Sequence, residues 1–352
     1  MLRTISKVFY LLMLLGVSPS FSYEPGVQDY TALQVYLNPA PIGADVYHAW
    51  SCEGGTGKNV RIVDVETGWN RKHEEFKTPF LDIGPKIDTE HGTMVWGVLN
   101  AKNDGVGITG IVYDAEIGLC SLGRFNNWQN WRETLSRRLN RLYDLLEPMD
   151  IVLLEVQVGD GPYNSKTPVE FWDRIYASIK ALTDKGVIVI EAAGNGGLNL
   201  DAPLFEGKLT RGKRDSGAIM VASSSAPVDG SRYENHFVRH TSSNYGTRID
   251  VFNYGERVVT TGYGELYLSD DENSDYHNDF GGTSSASAIT AGIAGSIIGI
   301  AKAQNKVITP HQLRDAFQNT GLSPHNSVKK RIGTYSNIPQ LLEYLNLECQ
   351  SY

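Results

Sequence analysis

The sequence predicts an α/β fold organised around a mainly parallel central sheet. Short apolar, β-branched runs at 60–65 and 151–154 are typical of strands buried on both faces. Segments with apolar residues at helical spacing separate such runs, and no internal repeat or low-complexity tract interrupts the alternation. Strands joined through helices favour parallel pairing with right-handed crossovers. Active sites in such sheets lie at the carboxyl ends of the strands.

The remaining elements are predicted from the same signals, in chain order. Apolar runs predict further strands at 187–190 and 218–222. Pro168 is predicted to open a helix that runs through residue 182, with Gly186 after its end. Apolar or small residues at helical spacing predict the other helices, at 131–146, 286–301, 310–318 and 338–346.

The N-terminus predicts a secretory leader. Two basic residues precede an apolar stretch at 8–17, and small residues follow at 20–22. The stretch is shorter than the roughly 20 residues that cross a bilayer. We therefore expect a leader over 1–22, a single domain over 23–352 and a secreted or periplasmic protein. A retained N-terminal helix is the alternative, and no later segment is expected to span a membrane.

Composition narrows the function classes. The chain has 352 residues, is 41% hydrophobic and carries a formal net charge of -8, which is ordinary for a globular protein but leaves no basic excess for nucleic acid. Three cysteines are too few for a disulfide scaffold, and the odd count leaves at least one thiol free. A Cys52–Cys349 bridge and three free thiols, with Cys120 the third, are both compatible with the sequence.

Ser284 is the candidate nucleophile. It lies in a Gly-Thr-Ser turn at the start of a helix rich in Ala, Gly and Ser. The free N–H groups and the dipole of a helix N-terminus would face its hydroxyl, but a serine also needs an adjacent base. The alternative role for Ser284 is a simple helix cap.

His91, Asn195 and a carboxylate supply the other groups that such chemistry needs. His91 precedes Gly-Thr and an apolar helical segment, and histidine is the natural general base near neutral pH. His73 is its competitor, expected to be a surface or structural residue. Asn195, in Ala-Ala-Gly-Asn-Gly, can donate to an oxyanion together with the Ser284 backbone N–H; the alternative is an ordinary turn residue.

Four motifs, at 63–68, 90–93, 192–196 and 282–287, occur in the order acid, histidine, asparagine, serine. This order differs from that of chymotrypsin and of the α/β-hydrolases. The motifs resemble those of the subtilases, the subtilisin-like serine proteases, over about 32–302. The resemblance implies a three-layer sandwich, endopeptidase activity on peptide or protein substrates, no cofactor for catalysis and a monomer.

The resemblance also shows where this chain departs from the family. Matching Thr67-Gly68 to the family pattern puts Glu66 in the position of the catalytic acid, with Asp64 as the alternative. The family's small residues beside the primary specificity pocket are replaced by Glu155, Val156 and Gln157, which with Ala193 and Gly194 are predicted to bind substrate. The charge of Glu155 suggests a preference for Lys or Arg beside the cut bond.

Three further expectations follow from the resemblance. Glu75 and the Asn103-Asp104-Gly105 loop resemble places where subtilases hold a structural calcium ion, although Asn-Asp-Gly is also a common turn. A catalytically inactive, peptide-binding pseudoprotease is the main alternative to an active enzyme. A ligase or cyclase that uses the same acyl-enzyme is a third hypothesis.

Overall fold

The computed structural model describes residues 27–161, 165–227, 237–324 and 330–350. The predicted leader over 1–22 lies outside these residues. The strands of the described chain are β1 Arg61–Glu66, β2 Leu81–Ile83, β3 Glu116–Ser121, β4 Ile151–Leu154, β5 Gln157–Gly161, β6 Ser165–Pro168, β7 Ile188–Ala192, β8 Ile219–Ser224, β9 Val251–Tyr254, β10 Val258–Thr261, β11 Tyr276–Phe280 and β12 Thr334–Tyr335. Eight of these strands form one sheet in the order β12-β9-β8-β7-β4-β1-β3-β2, and every neighbouring pair is parallel.

Helices cover both faces of the sheet, so the predicted three-layer α/β sandwich is confirmed. The α-helices of the described chain are α1 Val46–Trp50, α2 Glu90–Asn100, α3 Trp128–Leu145, α4 Asp173–Lys185, α5 Gly282–Ala303, α6 Pro310–Asn319 and α7 Ile338–Tyr344. Side chains that alternate along β1 enter different layers, as expected for a strand. Ile62 belongs to the core that includes α2 and α5, whereas Val63 and Val65 belong to the core that includes α3 and α4.

Helix α5 passes through the centre of the larger core. Its small residues let neighbouring backbone approach closely: a Cβ on Gly299 would lie 2.0 Å from the carbonyl oxygen of Gly54. By length and composition α5 could cross a membrane, so the expectation that no segment after the leader is apolar enough was wrong. Its most apolar window is 100% buried in the protein, as in the core helix of a soluble domain.

Two local features differ from the sequence prediction or decide between its alternatives. Pro168 does not open a helix, because it ends β6 of an antiparallel β5–β6 hairpin, and α4 begins only at Asp173. Cys52 and Cys349 form a disulfide, and Cys120 is a buried free thiol. The prediction of three free thiols is therefore excluded.

Candidate active site

The motif residues converge at the carboxyl edge of the sheet. Glu66 is the last residue of β1, and Glu155 directly follows β4. His91 lies in the first turn of α2 and Ser284 in the first turn of α5, while Asn195 lies three residues after β7. Helices that begin beside the ends of parallel strands thus bring together residues that are more than 200 positions apart in the chain.

His91 and Glu66 form a hydrogen-bonded pair. Nδ1 of His91 lies 2.8 Å from Oε2 of Glu66, and Oε1 of Glu66 accepts the Thr67 backbone N–H at 2.6 Å. Burial alone would lower the pKa of His91, but the charge of Glu66 and this hydrogen bond outweigh it and raise that pKa. Burial likewise opposes ionisation of Glu66, yet His91 and Thr67 hold the pKa of Glu66 below its usual value. The pair therefore favours a negative Glu66 beside a histidine that readily takes a proton.

Asp64 occupies a different environment, although it lies on the same face of β1 as Glu66. It is 0% exposed, and its Oδ2 accepts the indole N–H of Trp69 at 2.7 Å. The structure joins His91 to Glu66 and joins Asp64 to Trp69. His73, the other histidine considered, is buried, and its Nε2 lies 2.9 Å from the backbone oxygen of Asp275.

Ser284 lines the same cleft as His91 and Glu66. Its hydroxyl donates to the backbone oxygen of Glu155 at 3.4 Å. Hydrogen bonds between nucleophile and base are often long in ligand-free active sites and shorten when substrate binds. The turn before Ser284 requires glycine: Gly282 has φ +76°, and a Cβ there would lie 3.0 Å from the Asn195 amide.

Asn195 is held by three hydrogen bonds beside the start of α5. Its Oδ1 accepts the Thr283 backbone N–H at 2.9 Å and the Thr283 hydroxyl at 3.2 Å. Its own backbone N–H donates to Oε1 of Gln157 at 2.8 Å. Because Oδ1 of the side-chain amide already accepts these two bonds, Nδ2 is the atom of the amide that can donate a hydrogen bond to an oxyanion near Ser284.

Three of the five predicted substrate-binding residues line this cleft. Glu155, Val156 and Gln157 line it, but both carboxyl oxygens of Glu155 are buried. The expectation of a preference for Lys or Arg therefore loses its basis, because that charge does not reach the cleft surface. Ala193 and Gly194 are buried, and their carbonyl groups accept hydrogen bonds from Asn244.

An aromatic wall of the cleft escaped the sequence prediction. Phe125, Trp128 and Trp131 line the cleft beside Val156, and the three rings contact one another. They belong to the loop before α3 and to its first turns. An aromatic cluster at this spacing could have been noticed, but by itself it also fits the buried face of a helix.

The calcium candidates do not form a set of free oxygen ligands. Oε1 of Glu75 accepts the Ile108 N–H at 3.2 Å and the Tyr276 hydroxyl at 2.8 Å, and Oε2 accepts the Lys102 N–H at 3.1 Å. Asn103 is exposed in a turn. Donor groups of the protein thus occupy the carboxylate that would bind a cation, and these residues do not fit a calcium ion.

Comparison with known proteins agrees with this geometry. The model of the subtilase family matches residues 50–335. The chain belongs to the subtilase family. Two curated relatives come from Bacillus subtilis (strain 168): the major intracellular serine protease is 27% identical over 176 residues, and the minor extracellular protease Epr is 28% identical over 160 residues. These alignments cover 46% and 43% of this subtilase, and 51% and 22% of the respective relatives.

Solved structures support the fold. A protease from Pseudoalteromonas arctica PAMC 21717 superposes with a TM-score of 0.64 and 19% identity, covering 90% of this subtilase and 98% of that chain. Fervidolysin from Fervidobacterium pennivorans, a keratinolytic enzyme, superposes with a TM-score of 0.59 and 17% identity, covering 84% and 44%. At these identities the likeness concerns the fold alone.

Proposed function

We propose that this subtilase is a serine endopeptidase. The observation that carries the proposal is the hydrogen bond between His91 and Glu66 in one cleft with Ser284 at a helix N-terminus. In this proposal Ser284 is the nucleophile, His91 the general base and Glu66 the acid that fixes the histidine tautomer. Asp64, the alternative acid, does not take this role because its carboxylate bonds Trp69.

The proposed reaction passes through an acyl-enzyme. Ser284 Oγ attacks the scissile carbonyl carbon while Nε2 of His91 takes its proton, and the resulting oxyanion accepts N–H groups from Asn195 Nδ2 and the Ser284 backbone. His91 then gives the proton to the leaving amine as the C–N bond breaks. Water then attacks the ester carbonyl carbon while His91 takes its proton; the C–O bond to Ser284 breaks, His91 gives the proton to Ser284 Oγ, and the acid product leaves. No step needs a cofactor.

The substrate is a peptide or protein chain lying in the cleft that residues 155–157, the aromatic wall, His91 and Ser284 line. The aromatic wall favours a substrate with an apolar side chain on that side of the cut bond, because aromatic surfaces gain most by covering apolar groups. Replacing Trp128 by Ala should raise KM for such peptides more than for peptides with Asp or Glu there. Equal changes for both peptide sets would remove this part of the proposal.

A secreted or periplasmic location completes the proposal. The predicted leader and the Cys52–Cys349 disulfide both favour an oxidising compartment. The curated relatives include both an extracellular and an intracellular protease, so they do not favour either location. Fractionation of the native host, with the mature N-terminus determined by sequencing, would test it; a cytosolic, unprocessed chain would contradict it.

Labelling with a fluorophosphonate tests the activity directly. An activated Ser284 should react, and Ser284→Ala should abolish labelling and lower peptide turnover by about 10⁶-fold. Ser285→Ala is the matched control, since its hydroxyl donates to the Tyr254 backbone oxygen inside the core. A folded protein that binds peptide without labelling would be the pseudoprotease. Acyl transfer to added amines in preference to water would indicate a ligase.

A further inference from the structure

We propose that Asp64 and Glu155 form a carboxylate–carboxylic acid pair whose single shared proton positions the cleft wall that faces Ser284. The inference rests on the proposed function and deepens it, because it assigns a role to two carboxyl groups that the catalytic steps do not use. Both are positioning residues, since neither carboxyl group touches the reacting atoms.

Strand pairing brings the two side chains together. β1 and β4 are parallel neighbours, with Asp64 beside Leu153. Residues two apart in a strand point to the same face, so Glu155, two residues beyond Leu153, lies diagonally across from Asp64. The two carboxyl groups are close enough to interact, and a proton on either of them would be within reach of the other.

The residues around the pair supply few hydrogen-bond donors to these four carboxyl oxygens. Trp69 donates to Oδ2 of Asp64, but Oδ1 of Asp64 and both oxygens of Glu155 are buried and have no other donor among the described residues. Two bare carboxylates at this distance in a dry site would repel each other strongly. One proton removes the repulsion and supplies the missing donor.

The proton belongs mainly to Glu155. Burial and the charge of Asp64 raise the pKa of Glu155 well above its usual range, while burial raises the pKa of Asp64 to about 6. The other titratable groups around the pair are Glu66 on β1, His91 on α2 and the buried Cys120 thiol on β3. The pair keeps one negative charge, which adds to that of Glu66 in favouring protonated His91.

The shared proton affects the catalytic groups through the backbone position of residues 155–157. Because the Glu155 side chain turns inward to Asp64, its carbonyl oxygen faces the Ser284 hydroxyl at 3.4 Å. Two residues on, Gln157 accepts the backbone N–H of Asn195 at 2.8 Å. Without the proton, the two buried carboxylates would repel each other, and the repulsion would displace residues 155–157. The nucleophile and the oxyanion donor would then lose their common support.

A pair of variants at residue 155 tests the role of the proton. Glu155→Gln supplies an N–H donor to Asp64 and cannot ionise, whereas Glu155→Leu has similar volume and no donor. We expect kcat/KM at neutral pH to be at least about tenfold higher for Glu155→Gln than for Glu155→Leu, the size of one lost buried hydrogen bond. We also expect the alkaline fall of the wild-type pH–rate profile to weaken in Glu155→Gln. Equal rates for the two folded variants, or an unchanged alkaline fall in Glu155→Gln, would overturn the proposal.

Stability measurements test the proton without relying on turnover. A carboxyl whose folded-state pKa is raised contributes stability that is complete below its unfolded pKa and is lost as the pH rises toward the folded value. The wild-type free energy of unfolding should therefore decline above about pH 4.3, and the decline should be shallower in Glu155→Gln. An identical slope would contradict the shared proton, even if Ser284 failed to label and the proposed function were wrong.

Glu191→Gln is the matched control. Glu191 is also fully buried with a raised pKa, but it lies beside Glu170 and Arg248 and does not line the cleft. Its variant should flatten the stability profile while leaving the pH–rate profile unchanged. A change of the rate profile equal to that of Glu155→Gln would show a general effect of buried charge, and would overturn a positioning role specific to the Asp64–Glu155 pair.

Discussion

Two groups of buried carboxyls in this subtilase are neutralised in opposite ways. In the first, the arginine cluster, Arg248 bonds both oxygens of Glu170 at 2.7 and 2.9 Å and Oδ2 of Asp250 at 2.9 Å, with Glu191 beside them. Arg248 is only 1% exposed and is charged at every accessible pH. This cluster joins the 3₁₀ turn Val169–Phe171, which follows β6, to the residues just before β9, and Arg248 keeps its charge at any pH near neutrality.

The second group, the active-site cluster, holds Asp64, Glu66 and Glu155 without any arginine. His91 pairs with Glu66, and in our proposal one shared proton leaves Asp64 and Glu155 with a single negative charge between them. Both kinds of compensation can be lost within the ordinary pH range. The difference indicates that burial alone does not decide the role of a carboxyl group. A carboxyl paired with an arginine keeps its charge and stabilises the fold, whereas one paired with a histidine or a proton can change its charge with pH.

Removing the acid from the active-site cluster should have the largest effect. Glu66→Gln should lower kcat by about 10⁴-fold, since the amide supports the wrong histidine tautomer, while the folded structure remains. Asp64→Asn should cost far less turnover, because Asp64 does not contact His91. Steady-state kinetics with thermal melts would show this, and a greater loss in Asp64→Asn would reverse the assignment of the two acids.

Removing the cation from the arginine cluster should affect folding rather than turnover. Arg248→Met leaves the buried Glu170 carboxylate without its arginine, while Asp250 keeps Arg211, and should destabilise the protein by about 3–5 kcal/mol. Arg61→Met is the control, because the Arg61 side chain in its pair with Asp150 is 30% exposed and should contribute no more than about 1 kcal/mol. Chemical denaturation measures both; similar losses would mean that burial of the pair is unimportant here.

The pH dependence of turnover should report the histidine of the active-site cluster. His91 must be neutral to act as a base, and Glu66 raises its pKa, so kcat/KM should fall as the pH drops through a value above the usual 6.5 or so. Residual activity of Glu66→Gln should show this acid limb at lower pH. An unmoved limb would mean that another group controls it.

The smallest effect is expected at Glu75, a buried carboxyl that no arginine or histidine pairs with among the described residues. Backbone N–H groups and the Tyr276 hydroxyl hold its oxygens. Excess calcium should therefore leave Tm unchanged relative to the protein in chelator, as measured by calorimetry. A calcium-dependent rise in Tm that disappears in Glu75→Gln would show that the site rearranges to take the ion.

Much of this arrangement could be predicted from the sequence because it depends on local patterns. The β-branched runs predict the strands of the sheet. The motifs at 90–93, 192–196 and 282–287 lie at the ends of helices and strands, and the fold brings those ends to one edge of the sheet. The choice of Glu66 came from its position beside Thr67-Gly68, at the exit of the strand. Each of these signals is contained within a few residues.

The features that could not be predicted depend on partners far apart in the chain. Glu155 looked like an exposed charge in the cleft, since charged residues are rarely buried without a partner, and Asp64 is that partner on another strand. Pro168 was assigned to a helix start, where proline is common, because the pairing of β5 with β6 is not visible in either strand alone. The aromatic wall likewise forms only when the loop before α3 lies beside residue 156.

The Cys52–Cys349 link ties the two ends of the folded chain together across a sequence separation of 297 residues. Every group of the proposed reaction lies inside this covalent ring. A single backbone cut anywhere within it, including one made by a neighbouring copy of the enzyme, opens the ring without releasing a fragment. Such nicked molecules would run as full-length protein on a gel until a reductant separates the pieces.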